Sequence, residues 1–474
     1  MKKFYITTTT PYVNADPHIG FALEIIQADV VARYKRLSGF SVCFNWGTDE
    51  HGLKIYRTAI GQHKDPKKYC DELAPRFKKL IPALNLSSTN FIRTTDDYHI
   101  VAAQEFWKRC FKNGDIYKKN YKTKYCVGCE LEKTDSELVD DRCPVHPTLD
   151  LEIIAEENYF FRFSKYQKKL LAFYKNNSDF VIPQTRYNEL RSFVESGIED
   201  FSISRLKAKM PWGVNVPDDP KQVMYVWFDA LVNYISTIGW PSDEKKFQSW
   251  WPVVQTAGKD NLRQQCAIWQ AMLMSAGLPT SKQIFIHGFI TSEGQRMSKS
   301  LGNVISPFDL VDKYGIDPVR YYLLREIPPY DDGDYSDRRF KELYNADLAN
   351  GLGNLVARVA KLAQGKKYQV SRRTYQELIK DNKEYKKALD EYRFNDALTY
   401  VWGKVTVANK KIDYTKPWEL TGKKLDIVLL NVVNHIIVIA TLLYPFLSDT
   451  SKKILKQFTE PTIKAQLPLF PRIK

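Results

Sequence analysis

Two strand-loop-helix units, held apart by a long insert, restrict this chain to an α/β fold more tightly than any other feature of it. Residues 4–10, Phe-Tyr-Ile-Thr-Thr-Thr-Thr, are β-branched and aromatic and predict a strand, followed by a loop with Pro11 and Asn14. Asp16 is a suitable N-cap and Pro17 fits a first turn. Ile19, Leu23, Ile26, Val30, Tyr34 and Leu37 then recur at spacings of three and four until Gly39 stops the run. This pattern places His18 in the first turn of a helix. A second strand, Ser41 to Trp46, leads into the polar cluster Gly47-Thr-Asp-Glu-His-Gly52 at its C-terminal end. In open α/β sheets that edge is where ligands bind.

The second unit begins near Tyr225. Val226 to Tyr234 is a mixed aromatic and apolar segment. Pro252 to Ala257 predicts a strand ending in Gly258-Lys-Asp260, and a helix runs from there to Ala276 with Gly277 as its stop. Ile284 to Gly288, which contains His287, predicts a further strand, and Ile290 to Ser300 a turn centred on Gly294 that opens into an exposed loop. From about residue 340 the pattern is helical to the end, with apolar-periodic runs such as Asp426 to Leu447. No run is expected to reach the roughly 18 uncharged apolar residues of a membrane span, and no leader pattern stands at the N-terminus. A cytoplasmic protein that does not enter a membrane is therefore expected.

Seven cysteines, at 43, 70, 110, 126, 129, 143 and 266 of a large chain, argue against a secreted disulfide framework. Three of them cluster in the insert. Cys126-x2-Cys129 and Cys143-x2-His146 form two ligand pairs at knuckle spacing, with Gly128 and Pro144 shaping tight turns. Four such ligands suit tetrahedral zinc, and because protein fills every position the role is structural. Charge is uneven as well. Residues 341–474 hold 24 Lys and Arg against 13 Asp and Glu, so most of the chain's net +15 lies there. That excess suits a phosphate backbone, or simply a basic soluble surface.

His18-Ile-Gly20 reads alone either as a solvated turn or as an anion site in which a helix N-terminus and an imidazole face phosphates. Arg296-Met-Ser-Lys-Ser300 reads alone as a solvated cationic loop. In this order, on either side of a divided sheet, the two resemble the signatures of the class I aminoacyl-tRNA synthetases. The chain resembles the methionyl-tRNA synthetase family along essentially its whole length, through residues 9–14, 47–52, the four-ligand knuckle, 225–231, 258–260 and 350–358. The resemblance implies a split Rossmann-type parallel-sheet catalytic domain with a zinc-binding connective insert and a C-terminal α-helical bundle. Its first half is residues 1–115, the insert 116–225, the second half 226–294, a signature loop and stem-contact linker 295–345, and a helical anticodon-binding domain 346–474.

The implied activity is ATP-dependent ligation of methionine to its tRNA through an aminoacyl-adenylate, with Mg²⁺ accompanying ATP. An ionised amino-acid carboxylate is already a nucleophile, so its attack on the α-phosphate needs positioning and charge stabilisation more than a general base. His18, Arg296 and Lys299 are expected to supply these, and Gly20, Gly258, Asp260 and His287 to hold ATP with His18 and Lys299. Asp49 would hold the substrate ammonium, and Tyr12, Trp227, Ala230, Leu231, Tyr234, Asn261 and Gln265 would line the side-chain pocket. Asp49 and Asp260 also suit helix caps, and the aromatics a plain core. Asn354, Arg358 and Trp418 would meet anticodon bases, although Trp418 beside Pro417 also suits a buried corner. A monomer is expected. Three positions depart from the family pattern: Phe21 replaces a second signature histidine, while Asn261 and Gln265 stand where an apolar residue and a histidine are usual. A synthetase for another amino acid, a small-metabolite nucleotidyltransferase and a weakened tRNA-binding paralogue are the other readings.

Overall fold

The computed structural model describes residues 1–297, 302–370 and 373–473. Its centre is a six-stranded sheet in which every pairing is parallel. The strands are β1 (Lys3–Thr7), β2 (Ser41–Thr48), β3 (Asn90–Arg93), β4 (Val181–Ile182), β5 (Val254–Gly258) and β6 (Gln283–His287), in the order β3-β2-β1-β5-β6-β4. Ile6 pairs with Val254 and Thr7 with Gln255, so the two halves meet as direct neighbours. The chain leaves β1 in one direction and β5 in the other, which opens a crevice at their shared carboxyl edge. Both faces are covered, as parallel sheets require: Ile6, Phe44 and Phe285 are buried on one face and Tyr5, Ile284 and Ile286 on the other.

Helix α1 (Ile19–Leu37) covers β1 and β2 and is buried almost all round through Tyr34. Its acidic and basic residues are therefore not a solvent face. Asp29 bonds Arg33 at 2.7 Å, Ser87 N at 2.6 Å and Arg320 at 2.8 Å. Burial pushes its pKa up, but Arg320 and Arg33 outweigh that and hold the carboxyl below its usual range. The fully buried Arg320 also donates to the carbonyls of Leu84, Pro445 and Phe446, which joins the sheet domain to the C-terminal helices.

Between the halves, Ile116–Cys126 and Glu152–Phe161 form a long antiparallel ribbon extended by Leu131–Lys133 and Phe201–Ser202. The segment is not a single excursion, because β4 returns to pair with β6 and Leu170, Tyr174 and Leu190 join the core beneath it. Beyond Asp337 the described residues are mainly helical. Helix Gly422–Leu443 corrects one expectation, since its length and hydropathy pass the test for a membrane span. Here Leu429, Val432, Val433, Ile436 and Ala440 are buried, and the helix packs against Phe394–Thr415 and Ser448–Thr459.

Local boundaries differ from the sequence pattern in two places. Asp16 is exposed and pairs with Arg76 at 2.9 Å, and His18 is the N-cap of α1 because its Nδ1 accepts from Gly20 N at 3.1 Å. The stretch after Asp260 is not a regular helix. A 3₁₀ turn at Lys259–Asn261 and a π turn at Gln264–Ile268 precede helix Trp269–Ser275, and such π turns re-aim side chains at sites.

Candidate active site

The nucleotide end of the crevice is built around His18. Burial pushes its pKa down to about 4, so the ring is neutral. With Nδ1 accepting from Gly20 N, the remaining proton sits on Nε2, a donor at a helix N-terminus. A Cβ on Gly20 would lie 2.8 Å from His18 Cε1, so glycine is required for this cap. Phe21 takes no part in donation. It packs on the His18 ring at 4.4 Å between centroids and on Phe77 at 6.1 Å, which holds the imidazole in place. Ile19 N donates to Ile305 O at 3.0 Å, tying the start of α1 to the chain just after the second signature. Lys299 lies outside the described residues. Arg296 approaches Val145 O at 3.4 Å and stands over the ring of Phe289.

Across the crevice, His287 Nδ1 donates to Gly288 O at 2.7 Å and Nε2 to Glu24 at 3.1 Å. Burial opposes the charged ring, but Glu24 raises its pKa above the ordinary histidine value. Glu24 in turn accepts from Thr9 N and Thr9 Oγ1 at 2.6 and 2.8 Å, joining the end of β1, α1 and the end of β6. Sequence reasoning missed Glu24, which sits among helical periodicity that gave no sign of it. A Cβ on Gly258 would meet Asp260 Oδ1 at 2.7 Å. Asp260 is exposed on the crevice and accepts from Asn261 Nδ2 at 3.0 Å. Asn261 is thus engaged with Asp260 at this end.

The amino-acid end lies where the loop after β1 bridges to residues after β2: Val13 N donates to Asp49 O and Asp49 N to Pro11 O. Asp49 is 3% exposed, and among the described residues its carboxylate receives only long contacts, from His51 N at 3.4 Å and Thr94 Oγ1 at 3.5 Å. Burial and the neighbouring charge of Asp229 raise its pKa well above the usual carboxylate range. Asp229 itself is held between His51 at 2.6 Å and His99 at 2.8 Å. Burial opposes ionisation there, yet the two imidazoles push its pKa down to about 2. That His51–Asp229–His99 bridge locks the 47–52 cluster to helix Val226–Ala230, and it too was missed, although His51 and Asp229 stand inside the quoted segments. Tyr12 and Trp227 meet edge to face at 6.5 Å, and Tyr12 Oη and Trp227 Nε1 are buried with no partner among the described residues. Ala230, Leu231, Tyr234 and Gln265 are buried.

Cys126, Cys129, Cys143 and His146 converge, with their ligand atoms all within 4.8 Å of one another. Cys129 Sγ lies 3.5 Å from Cys143 Sγ and 3.1 Å from His146 Nδ1. Metal–sulfur bonds of about 2.3 Å at tetrahedral angles give sulfur separations of roughly 3.8 Å, so the cluster can hold a metal ion. It is docked on the catalytic half: Glu130 accepts from Lys54 N at 2.5 Å at the start of helix Leu53–Gly61 and from Tyr125 Oη at 2.8 Å.

On the C-terminal helices Asn354 is exposed and Arg358 pairs with Asp413 at 2.8 Å. Trp418 is 54% exposed while Pro417 is buried, which removes the corner-anchor reading. Tyr414, unnoticed in the sequence, is 90% exposed one turn earlier.

Comparison with known proteins agrees with this architecture. The family described as tRNA synthetases class I (M) matches residues 4–152 and 133–360, so the chain belongs to the class I aminoacyl-tRNA synthetases. The methionine–tRNA ligase of Thermotoga maritima is 43% identical over 98% of this chain and 77% of its own length, and that of Nostoc 42% over 96% and 90%. A solved Mycobacterium tuberculosis methionyl-tRNA synthetase in complex with methionyl-adenylate superposes with a TM-score of 0.92 at 36% identity, covering both chains fully. Within the class, the family is the methionine–tRNA ligases.

Proposed function

We propose that this chain joins methionine to ATP as methionyl-adenylate, releasing pyrophosphate, and then passes the methionyl group to its tRNA, releasing AMP. The observation that carries the reading is the underpaired, buried Asp49 carboxylate at the sheet edge that also presents neutral His18. Asp49 takes the substrate ammonium, which leaves the α-carboxylate free to attack the α-phosphate. His18 donates through Nε2 to the phosphates as charge builds on them, with no proton transfer of its own. Arg296 and Lys299 supply positive charge from the second signature. Gly20 and Gly258 allow close approach, Asp260 accepts from ribose hydroxyls, and His287, held by Glu24, fixes the opposite wall. Tyr12, Trp227, Ala230, Leu231 and Tyr234 enclose the side chain; Gln265 lies behind them, and Asn261 supports Asp260.

Zn²⁺ at Cys126, Cys129, Cys143 and His146 would hold the knuckle in shape, and Mg²⁺ bound with ATP would offset phosphate charge. Residues 116–225 act as the connective insert and 295–345 as the stem-contacting linker. Residues 346–474 read the anticodon, with Asn354 and Arg358 bonding base edges and Trp418 stacking. The exposed ring of Tyr414 and the net basic charge of this region support that role. The test is amino-acid-dependent pyrophosphate exchange with ATP across all twenty amino acids. Exchange with methionine alone is expected; exchange with another amino acid, or with none, overturns the assignment.

A further inference from the structure

The C-terminal helices carry a second polar cluster. Helix Gly422–Leu443 buries one side, and on its other side Asn431, Asn434, His435 and Val438 recur at spacings of three and four. With Arg373 and Leu378, from the segment that enters and forms helix Tyr375–Asp381, they line a cavity of about 180 Å³. His435 Nδ1 is buried and meets no partner among the described residues. Burial and the charges of Lys411 and Lys404 push the pKa of this ring down, so it is neutral and can carry its proton on either nitrogen.

The two lysines come from the neighbouring helix Phe394–Thr415 and stand two turns apart on one side of it. Lys411 Nζ donates to Asn431 Oδ1, and Lys404 Nζ stands 4.8 Å over the ring of Tyr400. Neither is paired with an acid among the described residues. Arg373 is paired: it bonds Asp381 and donates to Glu377 O at 3.2 Å, which holds its guanidinium at the rim.

An unmet imidazole nitrogen, two amide side chains and two ammonium groups around one cavity make a donor set for an anion. A carboxylate and a phosphate both qualify by charge, and position decides between them. Val407, Lys411 and Tyr414 recur at i, i+4 and i+7, with Val407 58% and Tyr414 90% exposed, and the chain then turns to the exposed Trp418. From Lys404 to Tyr414 the helix rises about 15 Å at 1.5 Å per residue, so the cluster continues the line of the two exposed rings. It is nevertheless distinct from Arg358. Asp413, which holds Arg358, lies about 160° around this helix from Lys411, on another flank.

We propose that this cavity is a phosphate site for the tRNA backbone, separate from the anticodon-reading side chains: Lys404 and Lys411 neutralise a phosphodiester, and His435 donates to it from Nδ1. A backbone contact is the same whatever the base sequence, so the site strengthens tRNA binding without choosing among tRNAs. The proposal rests on the reading that residues 346–474 receive tRNA.

The experiment measures binding of a methionine tRNA transcript to the full chain across a range of salt concentrations, with pyrophosphate exchange, which needs no tRNA, as the check that each variant is folded. Lys404→Gln and Lys411→Gln should each weaken binding by roughly threefold to tenfold, the scale of one hydrogen bond between accessible groups, and His435→Phe to a similar degree. The double lysine variant should flatten the slope of log affinity against log salt by about 1. Lys453→Gln, which removes an exposed lysine from helix Ser448–Thr459, should leave that slope unchanged. A substituted anticodon base should cost the variants the same factor as the wild type, because separate sites add. Wild-type affinity and slope in the double lysine variant overturn the site, as does an equal loss in Lys453→Gln. If His435→Phe does not fold, the lysine pair decides. Inorganic phosphate is the second probe: a shift of the His435 ring signals with phosphate, while the lysine variants bind tRNA normally, makes the cavity a free-anion site and overturns the RNA assignment. A wild type that binds no tRNA refutes the reading of the domain instead, so the two failures are distinguishable.

Discussion

Asp49→Asn should separate substrate binding from stability, with effects of opposite sign. The change keeps the shape of the side chain and removes its charge. In the free protein that charge is poorly met: the two contacts to Asp49, at 3.4 and 3.5 Å, are longer than the roughly 2.7–2.9 Å of charge-assisted bonds, and Asp229 stands nearby. Removing it relieves the unbound fold. With an ammonium bound, the same charge forms a desolvated pair, and truncating one partner of such a pair costs about 2–5 kcal/mol. That corresponds to roughly 30-fold to several thousand-fold in affinity. Pyrophosphate exchange should show kcat/KM for methionine falling by that factor with KM for ATP nearly unchanged, while Tm does not fall. The pH dependence follows from the raised pKa of Asp49. Below that pKa the carboxyl is protonated and cannot pair, so kcat/KM for methionine should decline on acidification from a higher pH than an ordinary aspartate would give, and this limb should be absent in the variant. For stability the sign is reversed: the folded state holds the Asp49 proton more tightly than the unfolded chain, so its ionised form is a burden at neutral pH that the amide lacks. Unchanged methionine kinetics, or a large drop in Tm, would refute the reasoning.

Metal analysis of purified protein should find about one zinc per chain, and Cys129→Ser should lower that content and expose the insert to proteolysis; a metal-free wild type with an intact insert counts against the knuckle. Trp418→Ala should weaken tRNA charging by about 5-fold to 150-fold, the worth of one stacked base, with pyrophosphate exchange nearly intact. Equal loss of both steps would remove the anticodon role. Arg320→Met strands the buried Asp29 and three carbonyls, and should destabilise the protein by about 3–5 kcal/mol in denaturant unfolding. A loss under 1 kcal/mol would show that water or neighbouring groups take over its bonds.

Periodicity exposed the halves of the sheet because buried parallel strands are β-branched runs, and the knuckle because ligand spacing is local. Side chains that act by pairing over distance were another matter. Glu24 looks like an ordinary polar position on an amphipathic helix, and only the pairing of β6 with β5, which itself pairs with β1, brings His287 to it. His51 and Asp229 are 178 residues apart and were quoted in separate segments with no sign that they bond. The N-cap shifted from Asp16 to His18 because a histidine Nδ1 can accept at a helix start as a carboxylate does, a role that cap preferences underweight. The buried helix Gly422–Leu443 carries two asparagines and a histidine amid its apolar residues, which interrupt the continuous apolar run by which a membrane span is read from sequence.

The adjacency of Ile6 to Val254 sets a timetable for biogenesis. One edge of β1 finds β2 soon after synthesis, but the other has no partner until β5 leaves the ribosome, roughly 10–50 s later at about 5–20 residues per second. Throughout that interval a nascent polypeptide carries a bare, apolar strand edge, an invitation to intermolecular pairing that chaperones would have to shield.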